Sequence, residues 1–145
     1  MYKHILIATD GSELAGKAVT TGLQLACTVG ARVTCVTATE PWTAMVGPDG
    51  PALVFPMEDY QRNTAAAAAR ILEHVKKEAL SLGLECTTVH ATEFPAEAII
   101  ATAREHNCDL IVMASHGRRG ISRVLLGSQA AKVVTLSTLP VLICR

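Results

Sequence analysis

The stretch His-Ile-Leu-Ile-Ala-Thr-Asp-Gly-Ser, residues 4–12, decides the fold class of this chain. The run His4–Ala8 shows no polar alternation, which is typical of a strand buried on both faces of a sheet. A polar turn follows, and Ser12 stands where a helix N-cap is expected. A helix that begins directly after a buried strand predicts a β-α-β unit and a parallel sheet.

The same alternation continues to the end of the chain. The first helix is predicted to run from the Ser12 cap to Gly30, a residue type that commonly ends helices. Further elements are predicted as strands at Arg32–Ala38, Glu85–Ala91, Asp109–Ala114 and Pro140–Cys144, and as helices at Glu58–Leu82, Pro95 to about Asn107, and Ser128–Leu136. This order predicts an α/β fold: a single doubly wound, Rossmann-like, five-stranded parallel sheet with helices on both faces.

One segment, Thr39–Met57, breaks the alternation. It carries four of the six prolines of the chain, with two glycines between them. We expect a long loop here, and loops of this length in a compact domain are often functional. It is expected close enough to the ligand edge to act as a lid, although its composition does not demand that role.

Length and charge limit the function. With 145 residues, the chain is expected to form one domain over residues 1–145. Lys plus Arg and Asp plus Glu both number 13, and aromatic residues make up 3%. A chain without excess basic charge or stacking aromatics is not expected to bind nucleic acid.

Neither a membrane segment nor a disulfide framework is indicated. No apolar run approaches the roughly 18–20 residues of a membrane helix, and the apolar run at the amino end is too short for a signal peptide. The five cysteines include no Cys-x-x-Cys pair and have no ligand spacing with the five histidines. We therefore interpret them as reduced packing residues of a cytoplasmic protein without membrane contacts.

The loop after the first strand is one half of the candidate site. Ligands of an open doubly wound sheet bind beyond the carboxyl ends of the strands, where the strand order reverses. Asp10 ends the first strand and suits a contact with a ribose hydroxyl, or with a water or metal beside a phosphate. The alternative is that Asp10 or Ser12 only caps the following helix.

The loop after the fourth strand is the other half. Gly117 and Gly120 allow sharp turns and a close approach of the backbone to a ligand. Gly127 and Ser128 begin the last helix, where free amides and the positive dipole end suit a phosphate. Three arginines are expected to add positive charge nearby: Arg118, Arg119 and Arg123. The alternative is an ordinary turn, an ordinary cap at Ser128 and a solvated basic face.

Three segments of the chain resemble the universal stress protein family in its single-domain form. They are Tyr2–Ser12, Asp109–Gly117 and the region from Leu125 to Ile143, so the resemblance extends over the whole length. It implies an adenine-nucleotide alpha-hydrolase-like fold and a role in the stress response. Nucleotide-binding members carry Gly-x2-Gly-x9-Gly-Ser/Thr after the fourth strand. The corresponding positions, with the spacing kept, are Ala114, Gly117, Gly127 and Ser128.

The resemblance implies a binding site for ATP. Gly117, Gly127 and Ser128 would hold its phosphates, and Ala38 would lie near the adenine. The implied nucleotide-binding residues are Ala8, Thr9, Asp10, Ala38, Met113, Ala114, His116, Gly117, Arg118, Gly127, Ser128, Gln129 and Ala130. We expect no catalytic residue and no dedicated metal site, although Asp10 is a position at which Mg²⁺ could accompany ATP.

Two positions depart from the binding pattern. Ala114 replaces the first glycine, and Ala130 stands where many binding members have a second hydroxyl residue. A hydrogen bond to a charged group is worth about 1.5–3 kcal/mol, so one lost contact weakens binding about ten- to a hundredfold. An interaction module that has lost the nucleotide therefore stays open as an alternative.

The last strand indicates a homodimer. Its apolar residues would be exposed at a sheet edge in a monomer, and pairing with a second copy removes that edge. The resemblance implies the same dimer, with Val141, Leu142, Ile143 and Cys144 at the interface. Other protein partners are not identified by the sequence. The alternative is that Arg145 and the chain end are enough to prevent pairing at this edge.

An enzyme is the third interpretation. The sequence has no Walker loop of the form Gly-x4-Gly-Lys-Ser/Thr, no His-x-Gly-His motif and no Gly-x-Ser-x-Gly elbow. His116 as a general base and slow ATP hydrolysis stay open. We rank ATP binding with little turnover first, the nucleotide-free interaction module second and an enzyme third.

Overall fold

A computed structural model describes residues 1–45, 56–117 and 125–145. Its strands are β1 (His4–Ala8), β2 (Arg32–Thr39), β3 (Cys86–Thr92), β4 (Leu110–Ala114) and β5 (Val141–Cys144). They form one parallel sheet in the order β3-β2-β1-β4-β5. The predicted fold class is confirmed, and the strand ends lie within about one residue of those expected.

The described helices cover both faces of the sheet: α1 (Glu13–Val29), α2 (Met57–Ser81), α3 (Pro95–Glu105) and α4 (Ser128–Leu136). Leu23 of α1 packs with Ile7 in the core under α1 and α2. Ile99 of α3 packs with Leu6 in the core under α3 and α4. No helix among the described residues combines the length and the apolar character needed to cross a membrane. Since β1 contributes to both cores, each of its positions is buried, which explains its continuous apolar run.

Helix ends follow the local chemistry. Ser12 Oγ accepts a hydrogen bond from the Ala15 amide at 3.3 Å, so Ser12 caps α1 as predicted. Gly30 ends α1 with a φ of +70°, in the left-handed region that favours glycine. Pro95 occupies the first turn of α3, where its missing N–H leaves no helical hydrogen bond unmade.

The segment predicted as a loop, Thr39–Met57, joins β2 to α2. Trp42–Met45 form a 3₁₀ turn, and residues 46–55 lie outside the described residues. The Tyr60 hydroxyl donates to the Glu40 carbonyl at 2.6 Å. This hydrogen bond ties the first turn of α2 to the end of β2.

The five cysteines are free thiols. Burial raises the pKa of Cys35 and of Cys86 above the usual range, and it raises the pKa of Cys108 to about 11. These buried thiols therefore stay protonated and act as packing residues. The expectation of a packing residue is wrong for Cys27, because this side chain lies on the exposed side of α1.

The strand order reverses between β1 and β4. From β1 the sheet extends through β2 to β3 on one side, and through β4 to β5 on the other. The connections that leave β1 and β4 therefore run to opposite sides. A crevice forms between them at the carboxyl ends of the two strands, as expected for a doubly wound sheet.

Candidate functional site

A cavity of about 520 Å³ opens at this crevice, within the size range of small-molecule sites. It is lined by twelve of the thirteen predicted nucleotide-binding residues: Ala8, Thr9, Asp10, Ala38, Met113, Ala114, His116, Gly117, Gly127, Ser128, Gln129 and Ala130. The thirteenth, Arg118, lies outside the described residues, as do Arg119, Gly120 and Arg123. The loops after β1 and β4 thus meet at one place, although they are far apart in sequence.

The turn after β1 is held by its own side chains. The Thr9 amide donates to the Val36 carbonyl at 3.0 Å, and the Thr9 hydroxyl accepts from the Gly11 amide at 3.1 Å. Asp10 Oδ1 accepts from the Ser12 amide at 2.9 Å. The alternative, in which Asp10 or Ser12 only caps the following helix, therefore holds in part. Asp10 orders the turn that leads into α1, and Ser12 is the N-cap of α1. Asp10 nevertheless also lines the cavity.

Gly117 brings the loop after β4 against this turn. A Cβ placed on Gly117 would stand 2.9 Å from Asp10 Oδ2, a separation that real Cβ atoms essentially never show. The φ of Gly117 is outside the left-handed region. A side chain at position 117 would therefore displace the Asp10 carboxylate, and glycine allows the two loops to approach closely without this displacement.

Gly127 and α4 form the opposite side of the cavity. The Gly127 amide donates to the Ser115 carbonyl at 2.7 Å, and a Cβ on Gly127 would stand 3.1 Å from that oxygen. Gly127 is the N-cap of α4, so the alternative of Ser128 as an ordinary cap is wrong. The amides of Ser128, Gln129 and Ala130 lie in the first turn, which has no earlier helical acceptor. They are donors that a bound anion can use.

His116 packs into the corner between these loops. Its Nδ1 lies 2.9 Å from the Ser115 hydroxyl oxygen, and its Cδ2 would lie 3.5 Å from a Cβ on Gly127. Its Nε2 is buried and has no hydrogen-bond partner among the described residues. His116 therefore helps to fix the shape of the corner.

Ala114 and Ala130, the two departures from the binding motif, are both buried. Ala114 ends β4 and pairs with Cys144. Its φ is outside the left-handed region, so its methyl group causes no backbone strain there. Ala130 belongs to the core under α3 and α4, together with Val133. Its methyl group cannot donate a hydrogen bond to a phosphate.

Gln129 connects α4 to α3. Its Oε1 accepts from the Ala96 amide at 3.1 Å, in the first turn of α3. The N-cap residue of α3, Phe94, makes no side-chain cap of its own. Gln129 therefore satisfies one of the unpaired amides of the neighbouring helix. Because the side-chain oxygen of Gln129 is already engaged, its backbone amide and its side-chain nitrogen are the groups that can contact a ligand.

Sequence reasoning missed one wall of the cavity. The residues that line the cavity beyond those predicted are Ala15, Val36, Thr37, Thr39, Glu40, Thr64, Ala67, Ala68, Ile71, Pro95, Ile99 and Ser115. The α2 positions 64, 67, 68 and 71 have the spacing of one helix face, and the sequence shows this spacing. The alanines of this run favour a helix wherever it packs, and helical spacing does not distinguish a core face from a ligand wall.

The described part of the cavity carries little positive charge. Asp10 and Glu40 are its carboxylates, and no Lys or Arg of the described residues lines it. Within residues 1–45, 56–117 and 125–145, no group of three or more His, Cys, Asp or Glu side chains is arranged to hold a metal ion. A phosphate in this part of the cavity would therefore be bound by amides and hydroxyls rather than by cationic side chains.

A second, more open groove of about 850 Å³ runs between α1 and α2. Of its described lining residues, only Thr9 and Ile71 also line the first cavity. The stretch from Gly11 to Lys17 fits Gly-x4-Gly-Lys, but Ala18 follows where a phosphate loop has Ser or Thr. The chain is also helical from Glu13 onward, so this stretch forms no loop around a phosphate.

β5 is the edge strand next to β4. Leu142 is 37% exposed, while Val141 and Ile143 are partly buried against the core under α3 and α4. Cys144 is partly buried against the opposite core. Of the four apolar residues expected to be exposed at this edge, Leu142 is exposed, and Val141, Ile143 and Cys144 are partly buried.

The whole chain, residues 1–145, matches the model of the universal stress protein family. The universal stress protein YxiE of Bacillus subtilis (strain 168) is 31% identical over 155 residues, with all of both chains covered.

Solved structures agree with this match. The protein MJ0577 of Methanocaldococcus jannaschii gives a TM-score of 0.83 at 28% identity, with 99% of this chain and 96% of that chain covered. A universal stress protein solved in complex with cAMP gives a TM-score of 0.73 at 27% identity, with 99% and 97% covered. The family match extends from end to end, and the fold agrees with it. The chain belongs to the universal stress protein family.

Proposed function

We propose that this chain is a stress-response regulatory protein that binds an adenine nucleotide, ATP, at the carboxyl ends of β1 and β4. One observation carries the proposal: twelve predicted residues converge on a single cavity, and the Gly-x9-Gly-Ser spacing of Gly117, Gly127 and Ser128 is kept. The universal stress protein solved with cAMP, at 27% identity, supports an adenine nucleotide as the ligand class.

The phosphates would lie at the α4 end of the cavity. There the first-turn amides and the Ser128 hydroxyl are donors, and the helix dipole adds a positive potential. A Cβ on Gly127 would meet the Ser115 carbonyl oxygen and His116, so glycine lets α4 begin close to the loop after β4. Asp10 would accept hydrogen bonds from the ribose hydroxyls. Where Mg²⁺ accompanies ATP, Asp10 is the carboxylate that would contact it, and the ion would neutralise phosphate charge.

Slow turnover, or none, is part of the proposal. Hydrolysis needs a group that activates water near the phosphates. The described lining offers Asp10, Glu40 and His116. Asp10 Oδ1 accepts from the Ser12 amide, and His116 Nδ1 contacts the Ser115 hydroxyl while its Nε2 is buried. A ring nitrogen shielded from water is poorly placed to accept a proton from it. This placement supports binding without catalysis.

A nucleotide-free interaction module of the same family is the second candidate. The observation that favours it is the burial of Ala130 in the core, which leaves one donor fewer at the phosphate end. The first-turn amides and Ser128 remain, so we rank this candidate below ATP binding.

We also propose a homodimer in which β5 pairs with its copy. The exposed Leu142 on an edge strand supports it. A cytoplasmic location is proposed from the free thiols. Beyond the nucleotide and the second copy, any protein partner is unidentified, and neither nucleic acid nor a membrane is proposed as a partner.

Ser128→Ala tests the phosphate end. It removes one hydroxyl donor, and we expect ATP affinity to fall about tenfold without loss of the fold. Affinity is measured by displacement of a fluorescent ATP analogue, and phosphate release is followed in parallel. Ser81→Ala, at the far end of α2, is the control and should bind like the wild type. Equal ATP affinity in both variants would refute the phosphate placement, and rapid phosphate release by the wild type would favour the enzyme.

A further inference from the structure

Helix α2 faces the cavity with short side chains. The run Ala65–Ala69 puts Ala67 and Ala68 on the cavity wall and its other three alanines on the exposed side of the helix. Thr64 and Ile71 extend the wall by one turn in each direction. Alanine favours helix formation at all five positions alike. At Ala67 and Ala68 it has the additional effect of leaving space between the helix and the sheet.

This wall is held in place. Ala68 is 3% exposed and belongs to the buried side of α2, one turn before the core residue Leu72. At the start of the helix, the hydrogen bond from the Tyr60 hydroxyl to the Glu40 carbonyl fixes α2 to the end of β2. Burial, and then the Glu40 carboxylate, raises the pKa of Tyr60, so its hydroxyl stays a donor at neutral pH. These two contacts hold α2 against the sheet beside the cavity.

The two ends of the cavity differ in chemistry. At the end formed by β2 and α2 the lining is mixed: Ala38, Ala67 and Ile71 are apolar, and Thr37, Thr39, Glu40 and Thr64 are polar. The donors of the first turn of α4 lie beyond β4, and β1 separates β4 from β2 in the sheet. At the usual strand spacing, the two ends are about 10 Å apart. A nucleotide with its phosphates at α4 therefore extends its base towards β2 and α2.

We infer that Ala67 is the specificity-determining residue of this site, because its small side chain leaves a slot between α2 and β2 deep enough for a purine base. The inference rests on the proposed nucleotide site. Ala67 is half-buried and lines the cavity, so a longer side chain at this position takes up cavity space rather than crowding the core. Such a side chain leaves room for a single-ring pyrimidine and excludes the two-ring purine.

Ala67→Leu tests the inference, with Ala66→Leu as the matched control on the exposed side of the same helix. Each protein is titrated calorimetrically with ATP and with CTP in the presence of Mg²⁺. We expect Ala67→Leu to lose about tenfold or more in ATP affinity and to change little towards CTP, so that the ATP-to-CTP preference falls by the same factor. Ala66→Leu should keep both affinities and the preference.

Thermal unfolding checks each variant, and Ala67→Val serves as the second variant if the leucine protein does not fold. The valine variant should lose about threefold in ATP affinity and in the ATP-to-CTP preference. If the wild type binds ATP and the variants at 67 keep its affinity and preference, the inference is overturned while the proposed function stands. If the wild type binds neither nucleotide, the proposed function fails and the inference fails with it.

Discussion

Replacing Gly127 by valine perturbs the phosphate end of the site through the backbone. The added Cβ would stand 3.1 Å from the Ser115 carbonyl oxygen and 3.4 Å from His116 Cα. Both neighbours are backbone atoms, which cannot swing aside as a flexible side chain does. The two γ carbons of valine add to the crowding. The first turn of α4 must therefore move away from the corner formed by Ser115 and His116.

The size of the effect follows from the hydrogen bonds that move. The shift lengthens the 2.7 Å bond from the Gly127 amide to the Ser115 carbonyl and carries the next amides away from the phosphate position. One hydrogen bond to a charged group is worth about 1.5–3 kcal/mol, so ATP affinity should fall about ten- to a hundredfold. Overpacking costs about 1–3 kcal/mol of stability, which a domain stable by about 5–15 kcal/mol survives.

The assay is calorimetric titration with ATP and Mg²⁺, combined with thermal unfolding of the free protein. Gly16→Val is the matched control, because a Cβ on Gly16 meets nothing within 4 Å. The control should bind ATP like the wild type. The reasoning is refuted if a folded Gly127→Val protein binds ATP within about twofold of the wild-type affinity.

Three further predictions concern the fold and the assembly. A Cβ on Gly22 would stand 2.7 Å from Ile7 Cδ1, so Gly22→Val should lower the free energy of unfolding in urea by about 1–3 kcal/mol; unchanged stability would contradict the close packing of α1 on β1. Burial, and then the charges of Arg32 and His106, lowers the pKa of His4. The unfolded chain therefore takes up a proton at higher pH than the folded one, and stability should fall as pH decreases below about 6.5, by up to about 1.4 kcal/mol per pH unit. His4→Gln should remove this part of the pH dependence, and His74→Gln should leave it in place. If the stability of His4→Gln depends on pH in the same way as that of the wild type, His4 is excluded as the source. Leu142→Lys charges the exposed edge of β5, so sedimentation should give twice the 15.3 kDa chain mass for the wild type and the single mass for the variant. A variant that stays dimeric would place the interface elsewhere.

The fold could be predicted because its determinants are local. The run Ile5–Ala8 is apolar throughout because its side chains contribute alternately to two cores, and a strand with one face in water alternates instead. Gly30 stands at a left-handed position that ends α1. The exposure of Cys27 could not be predicted, because an apolar neighbourhood in sequence does not say which way a helix faces.

The candidate site could be predicted from short motifs within single loops, together with the rule that the loops at the carboxyl ends of parallel strands meet at one edge of the sheet. Gly117 and Gly127 stand in one loop and its adjoining helix, so their spacing is visible in the chain itself. The close approach of Gly117 to Asp10 depends on the pairing of β1 with β4, which a local pattern does not contain. The same holds for the contact of Gln129 with α3 and for the wall that Ala67 provides. These contacts arise where elements that are far apart in sequence pack against one another. The spacing of residues within one element does not encode that packing.

The measurement that tests the central claim most directly is calorimetric titration of the nucleotide-stripped protein with ATP and Mg²⁺. We predict saturable binding near micromolar affinity, about 8 kcal/mol of binding free energy, despite Ala114 and Ala130. A folded protein that shows neither binding heat nor a shift in unfolding temperature at millimolar ATP would contradict nucleotide binding. The nucleotide-free interaction module would then be the function to pursue.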